Sequence, residues 1–314
     1  PRVATCQHLK VLRGFCCNLL ALEVQDFTPE VQEAVGRVQS VEQTQALITH
    51  ARELGYRGIN LDLIYGLPYQ TEETFDACLD QVLALDPDRV AVYSFAFVPW
   101  MKAHMRTLPA EAFPSREVKF ALLDVARERF LQAGYADIGM DHFAKPQDEL
   151  SRAAGAGRLH RNFMGYCVRP ASDLIGLGIS AIGDVDGALV QNVKKLSEYK
   201  DAITRGALPV ERGWERSPED RLRGSVIQEL MCNGGLDLER FRDRTGLDFH
   251  RTFAEELSAL RPHVENGLVT IAQDRIQATE TGRLFVRTLA TCFDADRATP
   301  AGGATKVLRR GVWA

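Results

Sequence analysis

The stretch that most constrains the fold runs from Ile59 to Ile64 and on through Tyr65-Gly66-Leu67-Pro68. Ile59, Leu61, Leu63 and Ile64 read as a buried strand, yet a carboxylate, Asp62, sits among them. Such a group is costly to bury without partners. Gly66 and Pro68 stop the strand, and Thr71 reads as an N-cap with Glu72 and Glu73 in the first helical turn. The order strand, tight loop, helix puts Asp62 near a strand's carboxyl end, where α/β barrels bind ligands. A strand-end Asp that merely caps a neighbouring loop accounts for the same spacing.

The flanking segments repeat this alternation. His8 to Gly14 reads as the end of a helix, Leu19 to Val24 as a strand, and Thr28-Pro29-Glu30 as a helix start. Ser40 with Gln43 forms a capping box ahead of Val41, Leu47, Ile48, Ala51 and Leu54 at helical spacing. After Asp62's strand come a helix over 72–85 and a strand from Val90 to Phe97. Connections of that length predict parallel strands with helices outside. A helix from Ser115 to Ala133 and a short strand from Tyr135 to Met140 follow. Gly155 to Pro170 reads as a basic loop, and Leu189 to Val193 as a strand leading into a helix to about Arg205. A boundary is expected at Gly206 to Pro218, where Ser217-Pro218-Glu219-Asp220 opens a helix. Beyond it, three helices and a hairpin resemble a winged helix. The expected divisions are 1–206, 207–298 and a flexible tail, 299–314.

A net charge of -4 gives no general attraction to nucleic acid or an anionic membrane. No apolar run reaches transmembrane length, no cleavable leader is evident, and a cytoplasmic location follows by default. The chain begins with Pro1 and reads as a fragment or a processed chain. Seven cysteines, Cys6, Cys16, Cys17, Cys78, Cys167, Cys232 and Cys292, lie at irregular spacings without a CxxC or CxxxCxxC. They read as free thiols and not as metal ligands. Gly176-x-Gly178-x-x-Ala181 formally matches a dinucleotide fingerprint, but Gly183 and Gly187 follow where a helix should open.

Several motifs together carry a resemblance. They are Val24-Gln25-Asp26-Phe27, Asp62 to Gln70, Gly139 to Ala144, His160-Arg161-Asn162-Phe163, Gly165-Tyr166 and Gly176 to Gly183. The chain resembles the oxygen-independent coproporphyrinogen III oxidases (coproporphyrinogen dehydrogenases) of the radical S-adenosylmethionine (SAM) superfamily, from about Leu20 to Phe293. The resemblance implies an α/β fold, the later half of a partial (β/α) barrel, with a small, mostly helical, winged-helix-like C-terminal domain. It implies an oxidoreductase of haem biosynthesis that uses SAM and a [4Fe-4S] cluster to convert coproporphyrinogen III to protoporphyrinogen IX. An electron donor and a monomeric state go with it.

Residue by residue, the resemblance puts SAM contacts on Gln25, Arg37, Asp62, Ala96 and Ile182. Gln25 offers donor and acceptor, Arg37 a fork for a carboxylate, Asp62 an acceptor for ribose hydroxyls or an amino group. Ala96 offers backbone groups to an adenine edge, and Ile182 an apolar wall. Read alone, Arg37 is also a solvated charge, and Ala96 and Ile182 ordinary core. His142, His160, Arg161 and Arg169 are candidates for the substrate's propionates, or else a structural His and a solvated loop.

The sequence departs from the family pattern. The cluster cysteines and the first three barrel strands are absent, leaving a strand edge to be paired. Glu23 stands where the family has Gly, Phe97 replaces His, and Met164 replaces Gln. No metal site is therefore expected in this chain, and the chain alone is expected to be inactive. Stoichiometric iron–sulfide uptake on anaerobic reconstitution would contradict that. The alternatives are a haem- or porphyrin-binding protein derived from the family, without radical chemistry, and a degenerate fragment.

Overall fold

The computed structural model describes residues 3–100, 102–163, 165–295 and 307–309. The chain divides into two units, Pro1–Arg152 and Ala153–Ala314.

In the first unit the order is α1 (Cys6–Gly14), β1 (Leu19–Gln25), α2 (Pro29–Val35), α3 (Val41–Glu53), β2 (Gly58–Tyr65), α4 (Glu72–Ala84), β3 (Arg89–Ser94), α5 (Arg116–Gln132), β4 (Ala136–Gly139), β5 (His142–Ala144) and α6 (Glu149–Gly155). The capping box Ser40–Gln43 opens α3, and Thr71 caps α4 with Thr74 as its box partner. The sheet order is β1-β2-β3-β5-β4, with β1, β2 and β3 parallel as expected. Period-two alternation sends Ile59, Leu61, Leu63, Val90 and Val92 to one face. There they meet Phe75 and Leu79 of α4 and Leu122 and Phe130 of α5 in one buried core.

Two expectations are corrected. The strand expected over Tyr135 to Met140 forms as β4, but the chain then turns back as β5 in an antiparallel hairpin, and β5 runs antiparallel to β3. Met140 (φ 45°) and Asp141 (φ 75°) take left-handed conformations at its turn. Strand β3 ends at Ser94 and not at Phe97. Beyond it the Phe95 N–H donates to the Tyr65 carbonyl at 2.8 Å, and the Lys119 Nζ donates to the Phe95 carbonyl at 2.6 Å.

The second unit opens with a hairpin, β6 (His160–Asn162) and β7 (Gly165–Cys167), inside the segment expected to be loop. Strands β8 (Ile182–Val185) and β9 (Ala188–Asn192), helix α7 (Leu196–Thr204) and strand β10 (Val210–Glu215) follow. Helix α8 (Pro218–Asn233), β11 (Gly235–Asp237), α9 (Leu238–Thr245), α10 (Phe249–Thr252) and α11 (Ala254–Glu265) come next. The order closes with β12 (Val269–Ile271), β13 (Arg275–Ala278), α12 (Glu280–Leu284), α13 (Val286–Thr291) and β14 (Val307–Arg309). One antiparallel sheet has the order β14-β10-β9-β8, and a second has the order β11-β13-β12.

The glycines that mimic a dinucleotide fingerprint serve backbone packing. A Cβ on Gly176 would lie 2.7 Å from the Ile182 carbonyl oxygen, and one on Gly183 would lie 2.9 Å from that of Leu174. Asn192 Nδ2 donates to the carbonyls of Gly176 and Gly178, each at 2.9 Å. The winged-helix-like part is held by Phe241, Phe249, Phe253 and Phe293, whose neighbouring rings stand 4.9–6.0 Å apart. Gly282 is obligatory there, because a Cβ would sit 1.7 Å from the Leu268 carbonyl oxygen. Met164 and most of the expected tail, 299–314, lie outside the described residues.

Candidate functional site

The parallel strands β1, β2 and β3 end side by side, and their carboxyl ends border a cavity of about 580 Å³. That lies within the ~300–1,000 Å³ range of small-molecule sites. Gln25 from β1, Ile64 from β2 and Ser94 to Ala96 after β3 line it, with Glu33, Gly36 and Arg37 closing one side. Three of the SAM candidates, Gln25, Arg37 and Ala96, thus share one wall system.

Gln25 reaches the cavity through a strained turn. Its φ is 67°, and the β1–β2 register slips between Glu23 and Gln25. A non-glycine residue in that region costs about 1–2 kcal/mol, so the surrounding contacts must hold it. They do so through a buried polar network that the sequence did not disclose. The Asp26 carboxylate accepts from the Thr28 N–H at 2.6 Å and from Gln70 Nε2 at 2.6 Å. Gln70 Nε2 also donates to the Ile64 carbonyl at 2.9 Å, and Gln70 Oε1 accepts from the Leu67 N–H at 2.8 Å. Gln32 Nε2 donates to the carbonyls of Asp26 and Gln39, and Gln39 Nε2 donates to that of Val24. The loops after β1 and β2 are therefore tied together beneath the cavity. Burial pushes the Asp26 carboxyl above its ordinary range, against the pull of the Gln70 and Thr28 donors.

Asp62 lies one pleat deeper than Ile64 on the same face of β2, half-buried and outside the cavity lining. Its register partners are Glu23 on β1 and Ala91 on β3, and Ala91 in turn pairs with His142 on β5. Glu23, Asp62 and His142 therefore fall in one row across the sheet's open face. Burial raises the Asp62 carboxyl above its ordinary 3.8, and the Glu23 charge raises it further. Asn60 Nδ2 opposes both by donating to it at 2.7 Å. Glu23 also holds Arg37, with Nη1 2.8 Å from the carboxylate. His142 is placed by the Met140 carbonyl, 2.9 Å from Nδ1, and by the Tyr93 hydroxyl, 3.4 Å from Nε2.

Lys119 is a further residue that sequence reasoning missed. From α5 it spans the ends of β2 and β3, with Nζ on the Phe95 carbonyl and 5.9 Å from the centre of the Tyr65 ring. Its stem fills the space above Gly66, where a Cβ would lie 2.7 Å from Lys119 Cε. The φ of +83° at Gly66 is what calls for glycine there.

The remaining candidates belong to the second unit. His160, Arg161 and Ile182 line a cavity of about 170 Å³ together with Asp184 and Gln228, and Arg169 does not border it. The Arg161 guanidinium lies 5.0 Å over the Tyr166 ring, and its Nη1 is buried without a hydrogen-bond partner among the described residues. Asp184 is paired with Arg216.

Cofactor chemistry can be tested against these donors. Among the described residues no three His, Cys, Asp or Glu side chains group as metal ligands, and all seven cysteines are free. They do not fit a [4Fe-4S] cluster. The first cavity, with its guanidinium, amide and backbone groups, does fit an adenosyl ligand bearing a carboxylate. Among the described residues no helix is long and apolar enough to cross a membrane.

Comparison with known proteins places the chain in a family. Residues 4–82 match the Radical SAM superfamily, and residues 217–285 match the HemN C-terminal domain. The chain is 42% identical over 297 residues to an oxygen-independent coproporphyrinogen III oxidase of Helicobacter pylori, covering 94% of this chain and 65% of that protein. A protein of the same name from Thermostichus vulcanus is 42% identical, covering 88% of this chain and 86% of its own length. The structure of coproporphyrinogen III oxidase from Escherichia coli, described as a radical SAM enzyme, superposes with a TM-score of 0.90 at 40% identity. The match covers 94% of this chain and 68% of that one. The chain thus spans just under two thirds of several curated relatives, and the superfamily's cofactors are SAM and a [4Fe-4S] cluster. By sequence and fold alike, it belongs to the oxygen-independent coproporphyrinogen III oxidase family.

Proposed function

We propose that this chain forms the SAM-holding and substrate-side part of an enzyme that decarboxylates coproporphyrinogen III to protoporphyrinogen IX in haem biosynthesis. The observation that carries this reading is the convergence of Gln25, Arg37 and Ala96 on one cavity at the carboxyl ends of three parallel strands. When bound, SAM would supply the adenosyl carbon to which a propionate hydrogen is transferred, the electron that frees that carbon from sulfur coming from the external donor. Gln25 and the Phe95–Ala96 backbone orient the adenosine, and Asp62 accepts from a ribose hydroxyl or the amino group. Arg37 meets the methionyl carboxylate. The protein's contribution is positioning and exclusion of water. Ile182 is assigned as an apolar wall, and His142, His160, Arg161 and Arg169 as partners of the substrate's propionates. No step is assigned to a cluster on the described residues, and an external electron donor is part of the reading.

Seven free thiols accord with a reducing compartment, and we place the protein in the cytoplasm. The match over 217–285 supports a C-terminal domain over 207–298, with 1–206 as the barrel part. Equilibrium dialysis against SAM tests the central assignment. The intact protein is expected to bind SAM, and Asp62→Ala and Gln25→Ala to weaken binding by about tenfold each, the worth of ~1–2 kcal/mol for a lost hydrogen bond to a charged or buried group. Binding that is absent, or indifferent to both substitutions, overturns it.

A further inference from the structure

Beside the cavity stands Glu23, a charged group with no part in the contacts assigned to SAM. Glu23 is 64% exposed in its side chain, yet it is not free in solution, because its carboxylate holds Arg37 Nη1 at 2.8 Å. The same residue is the register partner of Asp62 across the β1–β2 ladder. Its backbone carbonyl accepts from Gln39 Nε2 at 3.2 Å, so the network under the cavity fixes where its side chain starts. Among the described residues Arg37 is the only guanidinium that lines the cavity, Glu33 lines it as well, and Lys119 is engaged with the Phe95 carbonyl.

Two consequences follow from that placement. A ligand carboxylate can reach the Arg37 guanidinium only by sharing it with Glu23 or displacing it. Glu23 and Asp62 lie in register just outside the cavity lining, so a ligand that carries an extra positive charge gains from the field of both. We propose that Glu23 is a specificity-determining residue, which biases the strand-end cavity toward an adenosyl sulfonium and against the corresponding neutral thioether. The inference rests on the assignment of this cavity to SAM and deepens it. SAM and S-adenosylhomocysteine share the adenosine, the amino group and the carboxylate, and differ by the sulfonium methyl and its charge. Contacts to the shared groups cancel in the ratio of their affinities, and the charge that Glu23 adds does not.

The probes are SAM and S-adenosylhomocysteine, titrated separately into the intact protein and into Glu23→Gln and Glu23→Asp variants. Glu23 is a surface position on β1, and melting curves verify that both variants fold. In the parent protein SAM is expected to bind more tightly than the thioether. Glu23→Gln is expected to lower the SAM-to-thioether affinity ratio about three- to fivefold, the size of one solvent-screened charge at short range. Glu23→Asp, which keeps the charge, is expected to keep most of the ratio. An unchanged ratio in Glu23→Gln, or an equal gain in affinity for both ligands, overturns the role of Glu23 and leaves the SAM assignment standing. Failure of both ligands to bind the parent protein overturns the assignment and the inference together.

Discussion

The two faces of the sheet in the first unit are made from the same three parallel strands and do opposite work. On the helix-packed face, Ile59, Leu61, Leu63, Val90 and Val92 have no measurable exposure. On the open face the same strands present Glu23 and Asp62 in register, with Asn60 one pleat away on β2. Burial of apolar area at roughly 25 cal/mol per Å² holds the first face together. The second holds a half-buried carboxylate beside another carboxylate, an arrangement that works against stability. The contrast teaches that stability and ligand chemistry are separated here by the pleat alone. One residue along a strand changes the role of a side chain completely.

Substitution on the helix-packed face should produce the largest effect. Leu61→Ala leaves a cavity among Phe75, Leu79 and their neighbours, and a loss of about 2–5 kcal/mol is expected. Urea unfolding followed by far-ultraviolet dichroism measures it, and a loss under 1 kcal/mol would break the division between the faces. A smaller effect is expected where the two roles meet, at the network beneath the cavity. Gln70→Ala leaves the buried Asp26 carboxylate, the Leu67 N–H and the Ile64 carbonyl short of a partner. It should cost about 1–3 kcal/mol and also weaken SAM binding, because the turn at Gln25 loses its support. Stability loss with unchanged SAM affinity would show that the network serves the fold alone.

How much of this was legible in the sequence differs between the same two regions. Apolar alternation and caps are local signals, and they placed α3, β2 and α4 within a residue or two, with Ser40, Gln43 and Thr71 in their expected roles. Turns that break local rules were not legible. The β4–β5 hairpin turns through Met140 and Asp141 at positive φ, without the Asn-Gly or Asp-Gly pair that marks such a turn. Strand β10 was hidden in a stretch with Gly206, Pro209 and Gly213, which read as a boundary. Gly213 is in fact a strand glycine, and a Cβ there would press on the Leu189 carbonyl at 3.2 Å. Motif resemblance singled out Gln25, Arg37 and Ala96, and the fold brings these three to one cavity. Its supports were not. Asp26 and Gln70 are 44 residues apart, and Lys119 reads as an ordinary helix-surface cation until α5 is laid across the ends of β2 and β3.

The smallest effect is also the sharpest test of the contrast, because its sign is unusual. If Asp62 is kept for a ligand at the expense of the fold, replacing it should help the fold. Burial and the Glu23 charge raise its folded-state pKa above the ordinary 3.8. In the window between 3.8 and the raised value, the folded protein keeps a proton that the unfolded chain has released. The contribution of Asp62 to stability is therefore full below 3.8, declines as pH rises through that window, and stays at its low value at neutral pH. Asp62→Asn removes the charge and keeps the size. Its gain should be absent below the window and present above it, of order 1 kcal/mol or less given the partial exposure of the site. That corresponds to a rise of about 2–4 °C in melting temperature per kcal/mol for a unit of this size. Calorimetric melting at pH 4 and pH 7 reads the difference, and SAM affinity measured on the same samples should fall while stability rises. A variant less stable at pH 7 than at pH 4, relative to the parent, would mean that Asp62 is a structural acid whose partners outweigh its burial, and the open face would then be held together by the very groups assigned here to the ligand.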